Sequence, residues 1–124
     1  MKLRGLVPMM ETENIVETVE FYRDRLGFKC QGLYPDEENP CWASLVKDSV
    51  ELMFTVKNAH TKVEGAVMTG SLYLYPDDVD QLWESLKYKT KVEYPIENFA
   101  YGMREFAIRD NNGYLLQFGQ DISD

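Results

Sequence analysis

Apolar and polar positions along the chain follow two different periods, and the order of those periods occurs twice. The first series opens with an apolar run, "LRGLVPMM", and passes into "NIVETVEFYRDRLG". There Ile15, Val19, Tyr22 and Leu26 recur at spacings of four, three and four, the period of a helix with one buried stripe. Asn14 stands where it can cap the first turn, Glu17 at the third helical position completes a capping box, and Gly27 stops the helix. Three strand-like runs follow, "FKCQGLY", "CWASLVK" and "SVELMFTV", the last two joined as a hairpin through Lys47-Asp48-Ser49.

The second series repeats the order. "SLYLYP" is a strand and "DDVDQLWESLK" a helix, with Asp78 and Gln81 as a second capping box and Val79, Leu82 and Leu86 as its stripe. "KVEYP", "MREFAIRD" and "GYLLQFG" are then strands, the last two joined by Asp110-Asn111-Asn112-Gly113, where Gly113 suits a positive φ. Each half therefore reads βαβββ: module 1 over residues 1–56, a polar linker over 57–69 and module 2 over 70–124. A lone βαβββ unit leaves one sheet face open, so the two copies are expected to cover each other. The predicted fold class is α+β, two βαβββ modules whose curved mixed sheets surround one cavity. Position matching pairs Val50-Glu51-Leu52 with Leu116-Gln117-Phe118, Val7 with Ser71, and Trp42 with Arg104.

Strand alternation then assigns faces. Glu51 and Met53 fall opposite Leu52 and Phe54, whose apolar face suits packing on a helix, so Glu51 is expected toward the cavity as a polar anchor. Ser71, Tyr73 and Tyr75 share a face opposite Leu72 and Leu74, and Gln117 lies opposite Leu116 and Phe118. The candidate ligand-binding set is Trp42, Glu51, Met53, Ser71, Tyr73, Tyr75, Arg104 and Gln117, with no catalytic residue assigned. Its rings would hold a flat or cationic molecule by stacking and cation–π contact. An amphipathic core whose rings only fill space is the alternative. Arg104 would pair with Glu51 or grip an anionic group bidentately, and a bulge near Asn111-Asn112 would decide which way it faces.

Charge and cysteine usage narrow the partners. Thirteen basic against 21 acidic residues give a net charge of −8, which repels nucleic acid and attracts a cation. Apolar content of 44% and charged content of 27% suit a single globular domain of 124 residues. No window approaches the roughly 18 apolar residues of a membrane span, and "MKLRGLVPMMETEN" lacks a signal-peptide core. A cytoplasmic location without membrane partner is expected. Cys30 and Cys41 match no zinc or redox spacing and read as free thiols. The single histidine, His60, lies in the linker.

"NIVETVEFYRDRLGF" and "REFAIRDNNGYLLQFGQ" resemble the opening and closing motifs of the vicinal oxygen chelate superfamily, which includes glyoxalases, ring-cleaving dioxygenases and the fosfomycin and bleomycin resistance proteins. The resemblance covers nearly the whole chain. Metal-dependent members hold a divalent ion with one side chain from each of four strands. Carried over residue by residue, the resemblance sets Val7, Glu51, Ser71 and Gln117 at those positions. Only Glu51 is a strong ligand, and a first-row ion needs three or more good donors. The resemblance therefore implies a metal-free, cofactor-free protein that binds a small aromatic or cationic molecule, similar in character to the bleomycin resistance proteins linked with antibiotic resistance. The alternative is a metal-dependent isomerase, lyase or dioxygenase with divergent ligands, and a catalytically silent partner domain is a third reading. A homodimer is also implied, with Tyr34, Tyr94, Phe99 and Tyr101 as apolar contact candidates.

Overall fold

The computed structural model describes residues 1–57 and 67–123, so His60 and most of the expected linker lie outside the described residues. The chain divides into two compact units, Met1–Val67 and Met68–Asp124.

In the first unit, β1 (Met9–Glu11), α1 (Ile15–Leu26), β2 (Lys29–Tyr34), β3 (Trp42–Lys47) and β4 (Val50–Thr55) follow in order. The sheet runs β1-β4-β3-β2, with β1 parallel to β4 and the other pairs antiparallel. The sheet buries Ala43, Leu45, Leu52 and Phe54 on one face. Tyr22 of α1 meets Phe54 there at 5.2 Å between ring centroids. The expected stripe of α1 holds at Ile15, Tyr22 and Leu26, but Thr18 is buried in place of Val19. Thr18 is accommodated because its hydroxyl lies 2.8 Å from that of Thr12 and donates to the carbonyl of Asn14.

Asn14 caps α1 by accepting from the amide of Glu17 at 2.9 Å. The capping box is not reciprocal: the Asn14 amide donates to Thr12 Oγ1 instead of to Glu17. At the other end Gly27 adopts φ 74°, and the amides of Gly27 and Phe28 bond to the carbonyls of Arg23 and Tyr22, a Schellman ending. The apolar run "LRGLVPMM" joins the sheet only at its end, where the Pro8 carbonyl accepts from the Met53 amide at 2.9 Å and β1 begins at Met9, leaving Leu3 81% and Leu6 88% exposed. A strand with one neighbour gains too little to order the whole run.

The second unit repeats the order with β5 (Leu72–Leu74), α2 (Val79–Leu86), β6 (Lys91–Phe99), β7 (Met103–Arg109) and β8 (Leu115–Asp121). Its sheet runs β5-β8-β7-β6, again with one parallel pair, β5 with β8. Phe106, Ile108, Leu116 and Phe118 are buried on the helix side, where Trp83 packs on Phe106 at 5.1 Å. The duplicated α+β architecture read from the sequence is thus the observed one. β6 runs past Pro95 to Phe99, further than "KVEYP" suggested. It is an edge strand with register shifts between Val92 and Tyr94 and between Tyr94 and Glu97, the setting in which a strand tolerates proline. No helix among the described residues is long and apolar enough to cross a membrane.

Candidate functional site

Polar side chains on the face of the first sheet away from α1 form a small closed set. Glu51 accepts from Ser44 Oγ at 2.7 Å, and Gln31 Nε2 donates to Ser44 Oγ at 2.8 Å and to Glu51 Oε2 at 3.3 Å. Gln31 reaches that face because the register shifts between Cys30 and Gly32, a bulge in β2. Trp42 lies across Gly32, where an added Cβ would touch the indole at 3.4 Å.

The corresponding face of the second sheet carries a pocket of about 470 Å³. Tyr73 and Tyr75 come from β5 and its C-terminal end, Tyr101 from the β6–β7 turn, and Met103, Glu105, Gln117 and Asp121 from β7 and β8. Glu105 is only 1% exposed and accepts three tyrosine hydroxyls. Tyr73 donates to Oε1 at 2.6 Å, Tyr101 to Oε1 at 2.9 Å, and Tyr94 to Oε2. Such donors replace the water a buried carboxylate loses. Gln117 extends the network, donating to Tyr94 Oη at 2.9 Å while its Oε1 accepts from Ser71 Oγ.

The phenols respond to this environment. Burial, then the hydrogen bond to Glu105, pushes Tyr94 up to about 12 and raises Tyr73 and Tyr101 as well, so all three are neutral donors near neutral pH. Asp121, on the pocket wall, is held below the usual carboxylate range by the hydroxyl and amide of Ser123. Gly119 admits Tyr73 to its place: a Cβ there would lie 2.0 Å from the hydroxyl oxygen.

Of the sequence-expected residues, Tyr73, Tyr75 and Gln117 line this pocket, and Ser71 supports it through Gln117. Trp42, Glu51 and Met53 belong to the first unit's sheet. Arg104 points elsewhere. It shares the helix side with Phe106 and pairs with Asp80 of α2 at 2.8 Å and with Asn98 at 2.9 Å. The match of Trp42 with Arg104 is one place out, because β3–β4 pairs Val46 with Glu51 as β7–β8 pairs Ala107 with Gln117. That register sets Ser44 against Glu105, so the carboxylate occupies β4 in one module and β7 in the other. Tyr73, not Ser71, is level with Gln117, just as the β1–β4 register continued back two places sets Val7 level with Glu51.

Glu105 went unread in the sequence, although its alternation with Phe106 and Ile108 already places it on the Gln117 face. Nothing in the spacing shows that Tyr94 and Tyr101 converge on it. Tyr94, Phe99 and Tyr101, expected as exposed contact aromatics, make contacts within the chain: Tyr94 and Tyr101 on Glu105, and Phe99 stacked on Tyr101 at 5.4 Å.

The divalent ion that metal-dependent relatives hold does not fit these side chains. Val7 has no donor atom, Glu51 is bonded to Ser44 and Gln31, and Gln117 is bonded to Ser71 and Tyr94. Among the described residues no three of His, Cys, Asp and Glu come together.

Two βαβββ modules of the same strand order define a duplicated α+β protein, one copy of which holds a tyrosine-rich pocket over a buried carboxylate. The profile of the Glyoxalase/Bleomycin resistance protein/Dioxygenase superfamily matches residues 9–118, and the chain belongs to that superfamily. It is similar to the crystal structure of TioX from Micromonospora sp. ML1, with TM-score 0.81 and 17% identity over 95% of this chain and 98% of that one. It also resembles a protein of unknown function from Agrobacterium tumefaciens str. C58, with TM-score 0.78 and 21% identity over 98% and 96% of the two chains. A glyoxalase-related enzyme from Clostridium phytofermentans gives TM-score 0.78 and 17% identity over 98% of each. At these identities the likeness establishes the fold. No curated protein matches the sequence.

Proposed function

We propose that this superfamily member binds a small molecule bearing positive charge, without a catalytic metal, in the tyrosine-lined pocket of its second module. One observation carries the reading: three tyrosines and two carboxylates line the pocket, and none of the lining residues is basic. Ring faces attract cations through their quadrupoles, and the carboxylates add a field of the same sign. The net charge of −8 favours the same ligands at long range. The donor set described above supports a binding role over metal-assisted turnover.

Glu51, expected from the sequence as the anionic anchor, is not part of this pocket; Asp121 takes that role in the proposal. Calorimetric titration with aromatic cations and aromatic carboxylates tests it. Cations should bind, Tyr75→Ala should weaken them about threefold, and Asp121→Asn should weaken them less. Binding of the carboxylates alone would refute the proposal.

A further inference from the structure

The side-chain acceptors of Glu105 and Gln117 are already in use. Glu105 Oε1 takes the hydroxyls of Tyr73 and Tyr101, Oε2 takes that of Tyr94, and the residue is 1% exposed, so a ligand N–H has no approach to it. Gln117 commits both amide atoms, Oε1 to Ser71 and Nε2 to Tyr94. Gly119 presses against the Tyr73 hydroxyl and closes that side of it as well. Asp121, with Oδ1 bonded to Ser123, is the remaining carboxylate on the wall.

A primary ammonium seated over Glu105 and Gln117 would give up water on that side and find few replacements there, a loss of the kind that unpaired donors suffer. A fully alkylated ammonium has no N–H to satisfy. It keeps its charge, sheds water more readily, and needs only ring faces and a negative field. Tyr73 and Tyr75 are in tilted contact, 5.3 Å apart with planes inclined at 55°, and Tyr101 is a third pocket-lining ring.

We infer that the cationic group this pocket selects is a quaternary ammonium in preference to a primary one. The inference rests on the binding reading above and deepens it. Its basis is the saturation of Glu105 and Gln117 together with the tyrosine rings.

The experiment compares benzyltrimethylammonium with benzylammonium by calorimetry and by NMR shift perturbation on the intact chain. The quaternary cation should bind about threefold tighter, the size of a cation–π contact at an exposed site. Tyr101→Phe keeps the ring but releases one acceptor position on Glu105, so the ratio should fall toward one through a gain by benzylammonium. Equal or tighter binding of benzylammonium to the native protein would overturn the inference and leave the cation-binding reading standing. An unchanged ratio in Tyr101→Phe would overturn the saturation argument. Failure of both cations would overturn the inference and the reading beneath it.

Discussion

Glu105 shows how much one side chain owes to its surroundings. In "REFAIRD" it reads as a charged residue in a strand; in the fold it is the acceptor for three phenols drawn from β5, β6 and the turn after β6. The cluster makes stability depend on alkaline pH. The folded phenols of Tyr73 and Tyr94 sit above their ordinary value of 10.0, Tyr94 at about 12. The folded state therefore holds protons that the unfolded state releases first. Their contribution is fully present below about pH 10 and is lost as pH rises toward 12. The urea midpoint should fall over that window, in step with near-ultraviolet tyrosinate absorbance, and Tyr94→Phe should flatten the fall. A midpoint constant across the window would show that these phenols are not coupled to folding. Gly119 belongs to the same network, since only the absence of a Cβ lets the Tyr73 hydroxyl reach Glu105.

At the scale of elements, the two helices start alike and end differently. Both begin with a side-chain cap, Asn14 on Glu17 and Asp78 on Gln81, and α2 gains a second acceptor where Gln120 Oε1 receives the amide of Val79 at 2.8 Å. α1 ends on Gly27 in the left-handed region, whereas α2 ends with Lys87 still right-handed and Thr90 Oγ1 donating to the Leu86 carbonyl. Asn14→Ala should cost about 1 kcal/mol in urea unfolding. Gly27→Ala should cost about 1 kcal/mol or more from its φ alone, since the nearest neighbour of an added Cβ is the flexible end of Lys47 at 3.4 Å. A Gly27→Ala variant as stable as the native protein would mean that the chain leaves α1 by another route. These caps were legible in the sequence because each depends on residues a few places apart. The reciprocal half of the first box was not, because Thr12 competes for the same amide.

For the whole molecule, we propose a homodimer, as the superfamily resemblance implies. Leu3, Leu6 and Met9 support it: three apolar side chains within one short segment, each more than half exposed. Burying such a group against a partner removes apolar surface from water at roughly 25 cal/mol per Å². Sedimentation velocity should show a dimer at micromolar concentration, and replacing Leu3 and Leu6 with serine should shift it toward monomer. A native protein that stays monomeric would end the proposal. In the binding reading proposed above, the net charge of −8 would act at this scale by attracting cations.

By itself the sequence determined the duplication, the order of elements in each module and, for β3, β4, β5 and β8, the side that faces a helix. Those features follow from local periods, caps and turns, each readable within about a dozen residues. The sheet order, with its single parallel pair per module, came from the tertiary structure. The tertiary structure alone decided which polar groups meet. It turned Arg104 onto Asp80 and brought Tyr73, Tyr94 and Tyr101 from separate segments onto the one carboxylate of Glu105. A shift of one residue reverses the face of every side chain on a strand, and the bulges in β2 and β6 make such shifts without a marker in composition. Hydrogen bonds act over about 3 Å, so partners distant in the chain are chosen only once the strands are in register.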